Sequence, residues 1–157
     1  MRSPAAAIGA HLLFERDQHV LLGRRGPRAV FAPDTWHLPA GRVEHAESAR
    51  ACAVREAAEE LALTLDPPAL ELVHTVHLLE PGASGEPVPL LQLFFRVHGW
   101  QGVPRNNEPD KCRELGWHPR TALPSPLVGY ARAALEGIAQ GWSYTEMGWP
   151  ETGEGPA

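Results

Sequence analysis

Glu56, Glu59 and Glu60 stand at i, i+3 and i+4 in the run Arg55-Glu56-Ala57-Ala58-Glu59-Glu60-Leu61. If that run is helical, about 100° per residue puts all three carboxylates on one side. Carboxylates one turn apart repel, and Arg55, one turn before Glu59, offsets only part of that repulsion. A divalent cation would offset more. Hard cations such as Mg²⁺ take oxygen ligands near about 2.1 Å and usually keep phosphate oxygens as their remaining partners. The chemistry this points to is a metal site that holds a phosphate. The plain alternative is a solvated acidic helix face.

Such carboxylates need a helix to space them and a surface to hold the helix. From Ser48 to Leu61 the sequence has no Gly or Pro and is rich in alanine, so it predicts a helix. Ala51, Val54, Ala58 and Leu61 form the predicted packing stripe, small enough to lie close against a sheet. The acidic side then faces a loop-lined pocket.

Two residues upstream complete a longer pattern. It runs Gly41, five residues, Glu47, seven residues, then Arg55-Glu56, Glu59-Glu60 and an apolar Leu63. This stretch, residues 41–63, resembles the Nudix box, GX5EX7REUXEEXGU with U a bulky apolar residue. It departs at Ala57, small where the box prefers bulk, and at Ala62, which replaces the closing glycine. A glycine there would end the helix in a left-handed conformation, which for Ala costs roughly 1 kcal/mol. Trp36-His37-Leu38-Pro39-Ala40-Gly41 likewise resembles the family's W-x-L-P-G-G entry into the box, with Ala40 for the first glycine.

The resemblance implies a Nudix fold, an α/β/α sandwich with a mixed β-sheet. The box helix would lie on one side and a helix over Tyr130 to Gln140 on the other. It implies Glu56, Glu59 and Glu60 as side-chain ligands of Mg²⁺ (Mn²⁺ as a substitute), with the Ala40 carbonyl as a backbone ligand. Glu47 would hold Arg55, and Arg55 would orient the ligand carboxylates. The implied reaction is attack of water on a diphosphate linkage. The run from Asn107 to Pro119 resembles the tract before the last strand of bacterial MutT-like members, where a loop delivers a further Glu. Glu108 is the first choice for that role, with Asp110 and Glu114 behind it.

The other candidates come from residue chemistry. Arg24 and Arg25, flanked by Gly23 and Gly26, suit phosphate because a guanidinium binds it bidentately; Arg28 is a weaker candidate. Ile8 to Phe14 and Val20 to Leu22 are β-prone runs read as a hairpin. Leu70 to Leu79 and Val88 to Val97 read as strands, the second so densely apolar that it belongs at the centre of the sheet. Gln92 and Arg96 share a side of it and could face the substrate. Cys52 is read as a packing residue. Trp142, Tyr144 and Trp149 could cover the site or cap the core, and the chain is expected to be loose from about residue 150.

At 157 residues, one domain is the natural count. A 43% apolar and 21% charged composition without a membrane-length apolar run excludes a membrane span. A net charge of −5 argues against a nucleic-acid polymer as partner. Cys52 and Cys112 fit neither a disulfide framework nor a zinc site, so a cytoplasmic setting is expected, for a monomer or homodimer.

The markers of the NADH, dinucleoside polyphosphate and coenzyme A subgroups are not seen. His77 and Leu78 lie where ADP-ribose enzymes carry proline. By elimination the chain resembles the MutT-like group, whose simplest reaction takes a nucleoside triphosphate to monophosphate and pyrophosphate. ADP-ribose or another nucleoside diphosphate derivative is the alternative substrate. A non-catalytic nucleotide sensor is the alternative of another class, but sensors typically lose a metal-binding glutamate and this chain keeps all three.

Overall fold

The computed structural model describes residues 5–150. Its strands, in chain order, are β1 (Ala7–Leu13), β2 (Glu15–Arg16), β3 (His19–Arg25), β4 (Trp36–His37) and β5 (Ala40–Arg42). After helix α1 (Ala49–Leu61) come β6 (Leu70–Pro81), β7 (Pro87–Val97) and β8 (Cys112–Pro119). Helix α2 (Gly129–Ala139) and strand β9 (Tyr144–Met147) complete the order. The larger sheet runs β5-β1-β7-β6-β9 and is mixed, with β1–β7 and β6–β9 parallel and its other pairs antiparallel. In the smaller sheet, β3 pairs with β2, β4 and β8.

Strand alternation divides the interior into two cores. Ala10, Leu12 and Phe14 face the α1 layer, whereas Leu13 faces the α2 layer with Phe94, Ala131 and Ala134. The mixed sheet between two helices is the expected α/β/α arrangement, and β7 is central as its apolar density requires. Gly137 is the reason α2 can approach β6: a Cβ there would strike the His74 ring. His74 Nδ1–H donates to the Trp142 carbonyl at 2.9 Å, and its Nε2 accepts from the Thr145 hydroxyl at 2.8 Å. Those two bonds dock β9.

Several expectations need correcting. The first two β-prone runs meet only at Phe14, whose carbonyl accepts the Leu21 N–H at 3.1 Å. β1 joins the larger sheet, and the hairpin is β2–β3, turned by Asp17 and Gln18 at φ 51° and 64°. Two positive φ values suit the twist of a two-residue turn. Cys112–Pro119 is itself a strand along β3, not a tract leading to one. Trp142 and Tyr144 are exposed beside the β9 edge, and Trp149 Nε1–H donates to the His77 carbonyl, so none of the three covers the cavity described below. The tail beyond Pro150 lies outside the described residues.

The packing face of α1 is also different. Cys52, Ala53, Ala57 and Leu61 are buried, while Ala51 and Ala58 are exposed. On the helical wheel Glu60 lies only about 20°, and Glu56 about 60°, from the buried Ala53. The acidic side therefore borders the packed side instead of opposing it. Ser48 Oγ caps the start by accepting the Ala51 N–H at 3.1 Å. At the end, Ala62 adopts φ 55°, ψ 37°; its N–H reaches the Ala58 carbonyl and the Leu63 N–H reaches that of Ala57. This is the left-handed cap that normally selects glycine. Ala62→Gly is expected to stabilise the protein by up to about 1 kcal/mol, raising Tm by roughly 2–4 °C. A lower Tm in a thermal melt would contradict a strained cap.

Candidate active site

Gly41 sets the depth at which the box helix meets β5. A Cβ at that position would overlap the Glu56 carboxyl, so glycine lets an inward-pointing acid lie against the strand. One residue earlier, the Ala40 N–H donates to Glu60 Oε2 at 3.3 Å. Glu60, Ala40 and Gly41 thereby meet at the wall of a cavity of about 780 Å³ between the two sheets. Glu56, Glu59, Glu47 and Arg55 stand behind Gly41 and Arg42, beyond the lining of this cavity.

Arg55 organises the acids. Its Nε and Nη2 donate to the two oxygens of Glu47 at 2.8 and 2.9 Å, and its Nη1 donates to Glu56 Oε1 at 2.7 Å. The same Nη1 reaches Glu59 Oε2 at 3.3 Å. The hydrogen bonds from Arg55 hold the Glu47 carboxyl down at about 2, and Glu47 in turn raises the Arg55 guanidinium above its usual range. The side chain of Glu56 is 13% exposed and that of Glu59 53%. Only Glu56 and Glu60 of the trio are turned inward.

Burial pushes the Glu60 carboxyl up to about 8, with the neighbouring Glu56 adding to the effect and the Ala40 N–H opposing it. Burial raises Glu56 as well, against the pull of Arg55. Among the described residues, no three His, Cys, Asp or Glu side chains already surround one point. The donor set nevertheless suits a hard divalent cation. Glu56 and Glu60 are adjacent oxygen donors, partly buried, whose mutual repulsion a cation would relieve.

The loop before β8 is pinned to the end of α1. Arg105 N–H donates to the Leu61 carbonyl at 3.2 Å, Asn107 N–H to that of Glu60 at 2.9 Å and Asn107 Nδ2 to that of Glu59 at 3.0 Å. Carbonyls left over at a helix end are satisfied by the loop. This brings Glu108 into the cavity wall, close enough for its charge to raise Glu60 further. Glu108 also pairs with Lys111 at 3.2 Å. Asp110 lines the cavity, whereas the exposed Glu114 lies 4.0 Å from Arg24.

Arg24, Arg25 and Arg28 all line the cavity. Arg24 Nε donates to the Asp34 carbonyl at 3.4 Å; Arg25 Nε donates to that of Phe31 at 2.7 Å and its guanidinium lies over the Phe31 ring. Gln92 is in the wall, its Oε1 2.6 Å from His11 Nε2. Arg96 is not. It bonds Glu15 at 2.6 Å on another part of the surface, so the expectation that it shares Gln92's cavity is corrected. Cys52 is fully buried, as a packing residue should be.

His11, His37, Phe31 and Tyr130 were not anticipated as site residues, yet they line the same cavity. They come from β1, β4, a loop and α2. No sequence spacing links them.

The fold is that of the Nudix family. The NUDIX domain family profile matches residues 3–137, and the chain belongs to that family. Its similarity is to MutT-like members of that family. A MutT NUDIX hydrolase from Burkholderia pseudomallei is 30% identical with a TM-score of 0.74, covering 84% of this chain and 97% of that one. The Escherichia coli ORF135 protein is 26% identical with a TM-score of 0.69, covering 87% and 91%. The mouse 8-oxo-dGDP phosphatase NUDT18 is 35% identical over 95 residues, 59% of this chain and 26% of the relative. Its human counterpart is 32% identical over 120 residues, 75% and 33%. The chain thus spans about a quarter to a third of the length of these curated relatives. Among the described residues, no helix is long and apolar enough to cross a membrane.

Proposed function

We propose that this protein hydrolyses a phosphoanhydride bond of a nucleoside di- or triphosphate, releasing the monophosphate. The observation that carries this reading is the Glu60 carboxyl beside Ala40 in the wall of a cavity that aromatic side chains also line, with Glu56 packed behind it against Gly41. The names of the curated relatives favour a nucleoside diphosphate, with 8-oxo-dGDP the first compound to try. The triphosphate remains the simplest alternative substrate of the same chemistry.

In this reading Glu56, Glu59 and Glu60, with the Ala40 carbonyl, would hold Mg²⁺ or Mn²⁺. A bound divalent ion would neutralise phosphate oxygens and lower the pKa of an attacking water. Arg55, fixed by Glu47, holds the Glu56 carboxylate in place. Arg24 and Arg25 bind phosphate oxygens through their guanidinium groups. Glu108 accepts a proton from the water at a carboxylate oxygen.

A hydrolysis screen in Mg²⁺ tests this. It would cover ordinary and 8-oxo nucleoside di- and triphosphates, ADP-ribose, NADH and dinucleoside polyphosphates, with products separated by chromatography. Monophosphate release from a nucleoside di- or triphosphate is expected. Turnover of ADP-ribose or a dinucleotide alone would overturn the substrate class, and ligand binding without turnover would favour a sensor.

A further inference from the structure

The turn that carries Glu108 also carries a cation to which the proposed reaction assigns no task. Lys111 lines the cavity, and its Nζ donates to Glu108 Oε2 at 3.2 Å. The backbone beneath the pair is fixed. The Lys111 and Cys112 N–H groups both donate to the Glu108 carbonyl at 2.9 Å, and the Glu108 N–H donates to Asn106 Oδ1 at 3.1 Å. The Gly26 N–H donates to the Lys111 carbonyl at 3.0 Å, which seats the turn against the segment that bears Arg24, Arg25 and Arg28. The main chain is thus anchored, while the flexible four-carbon stem of Lys111 can swing. Its side chain is 72% exposed, against 27% for Glu108.

Such a pair holds weakly. An exposed ion pair contributes little, because water screens it and two side chains must be ordered to make it. Glu108 first, then Asp110 and Glu56, raise the Lys111 ammonium above its ordinary range, so it stays charged. An ammonium has three N–H donors, and Glu108 takes one of them. The neighbouring guanidinium groups are already bonded to the protein: Arg25 to the Phe31 carbonyl, Arg24 to that of Asp34. Among the described residues, the one hydrogen-bond partner of Lys111 Nζ is the carboxylate proposed to receive the proton.

Resting on the phosphoanhydride reading above, we propose that Lys111 is a phosphate-binding residue that Glu108 holds in reserve: an incoming diphosphate takes over the ammonium and leaves the Glu108 carboxylate unpaired. A diphosphate offers the ammonium more charge and more acceptor oxygens than one carboxylate does. The exchange orders the events. While Lys111 is on Glu108, one carboxylate oxygen is occupied. Arrival of the anion seats the phosphate and clears that oxygen in one step, and only hydrogen bonds change hands.

The test is calorimetric binding of methylenediphosphonate, whose carbon bridge resists hydrolysis, in Mg²⁺. It compares the full wild-type chain with Lys111→Met, Glu108→Gln and the double variant. Lys111→Met is expected to weaken binding about five- to tenfold. Glu108→Gln should tighten it about two- to fivefold, because the ammonium is no longer held back. In the double variant that tightening should vanish, leaving the affinity of Lys111→Met alone. Wild-type affinity in Lys111→Met would overturn the proposal. So would a Glu108→Gln variant no tighter than wild type, or no binding by the wild type. Tightening that persists without Lys111 would overturn it too, reducing Glu108 to plain repulsion of the anion. Binding of the analogue needs no turnover, so the two readings fail separately. Lys111-dependent tightening in a protein that hydrolyses no nucleotide keeps the exchange and removes the enzyme assignment. Hydrolysis with unchanged affinity in Lys111→Met does the reverse.

Discussion

Glu60→Gln is expected to lower kcat in Mg²⁺ by more than about a hundredfold, the upper end of what losing a metal's outer-shell partner costs. The amide keeps the shape of the side chain and removes the charge that would hold the ion. The same change should stabilise the metal-free protein. The Glu60 carboxyl stands near 8 in the fold against an ordinary value of 4.5, raised first by burial and then by Glu56. In this window the unfolded chain has lost a proton that the folded one retains. Wild-type stability from this group is therefore present below pH 4.5 and lost as pH rises towards 8. Gln removes that loss, a gain on the order of 1–3 kcal/mol at pH 8. Steady-state kinetics and thermal melts in a chelator check both halves. Near-normal turnover, or a lower Tm at pH 8, would contradict the placement of Glu60.

Arg55→Ala is expected to weaken divalent-ion affinity by about 10–100-fold and to lower Tm, although Arg55 is itself no ligand. Glu47, Glu56 and Glu59 all take hydrogen bonds from this one guanidinium. Without it, crowded carboxylates face each other with no cation between them. Arg55→Lys should recover little, because a single ammonium cannot span both oxygens of Glu47 while also reaching Glu56. Manganese titration followed by electron paramagnetic resonance reads the affinity directly. Wild-type affinity in Arg55→Ala would show that Glu56 is held by something else.

The contacts among the box residues were legible because spacing along one helix and its approach set which side chains meet. Glu47, Arg55 and Glu56 meet as the pattern implies, and Ala62 takes the left-handed conformation that a glycine there would have served. The packed face of α1 was misjudged because Ala51 and Ala58 look as apolar as Ala53 and Ala57. Which alanines are buried depends on how far Gly41 lets the acidic side turn inward. The hairpin turn falls within the expected connection, at Asp17 and Gln18, but the short strand β2 was not legible because the polar pair Glu15–Arg16 gives no β signal. Hidden most completely was the aromatic wall. His11, His37 and Tyr130 are ordinary core residues one at a time and line one cavity only when β1, β4 and α2 converge.

The central claim is that the inward pair Glu56 and Glu60 holds a catalytic divalent ion. A Mn²⁺ titration of metal-depleted protein tests it most directly, comparing wild type with Glu56→Gln, Glu60→Gln and the distant surface change Glu71→Gln. A Mn²⁺ site in wild type, weakened at least about tenfold by either box change and untouched by Glu71→Gln, is the expected result. Equal Mn²⁺ binding in all four proteins would place the metal elsewhere and contradict the site.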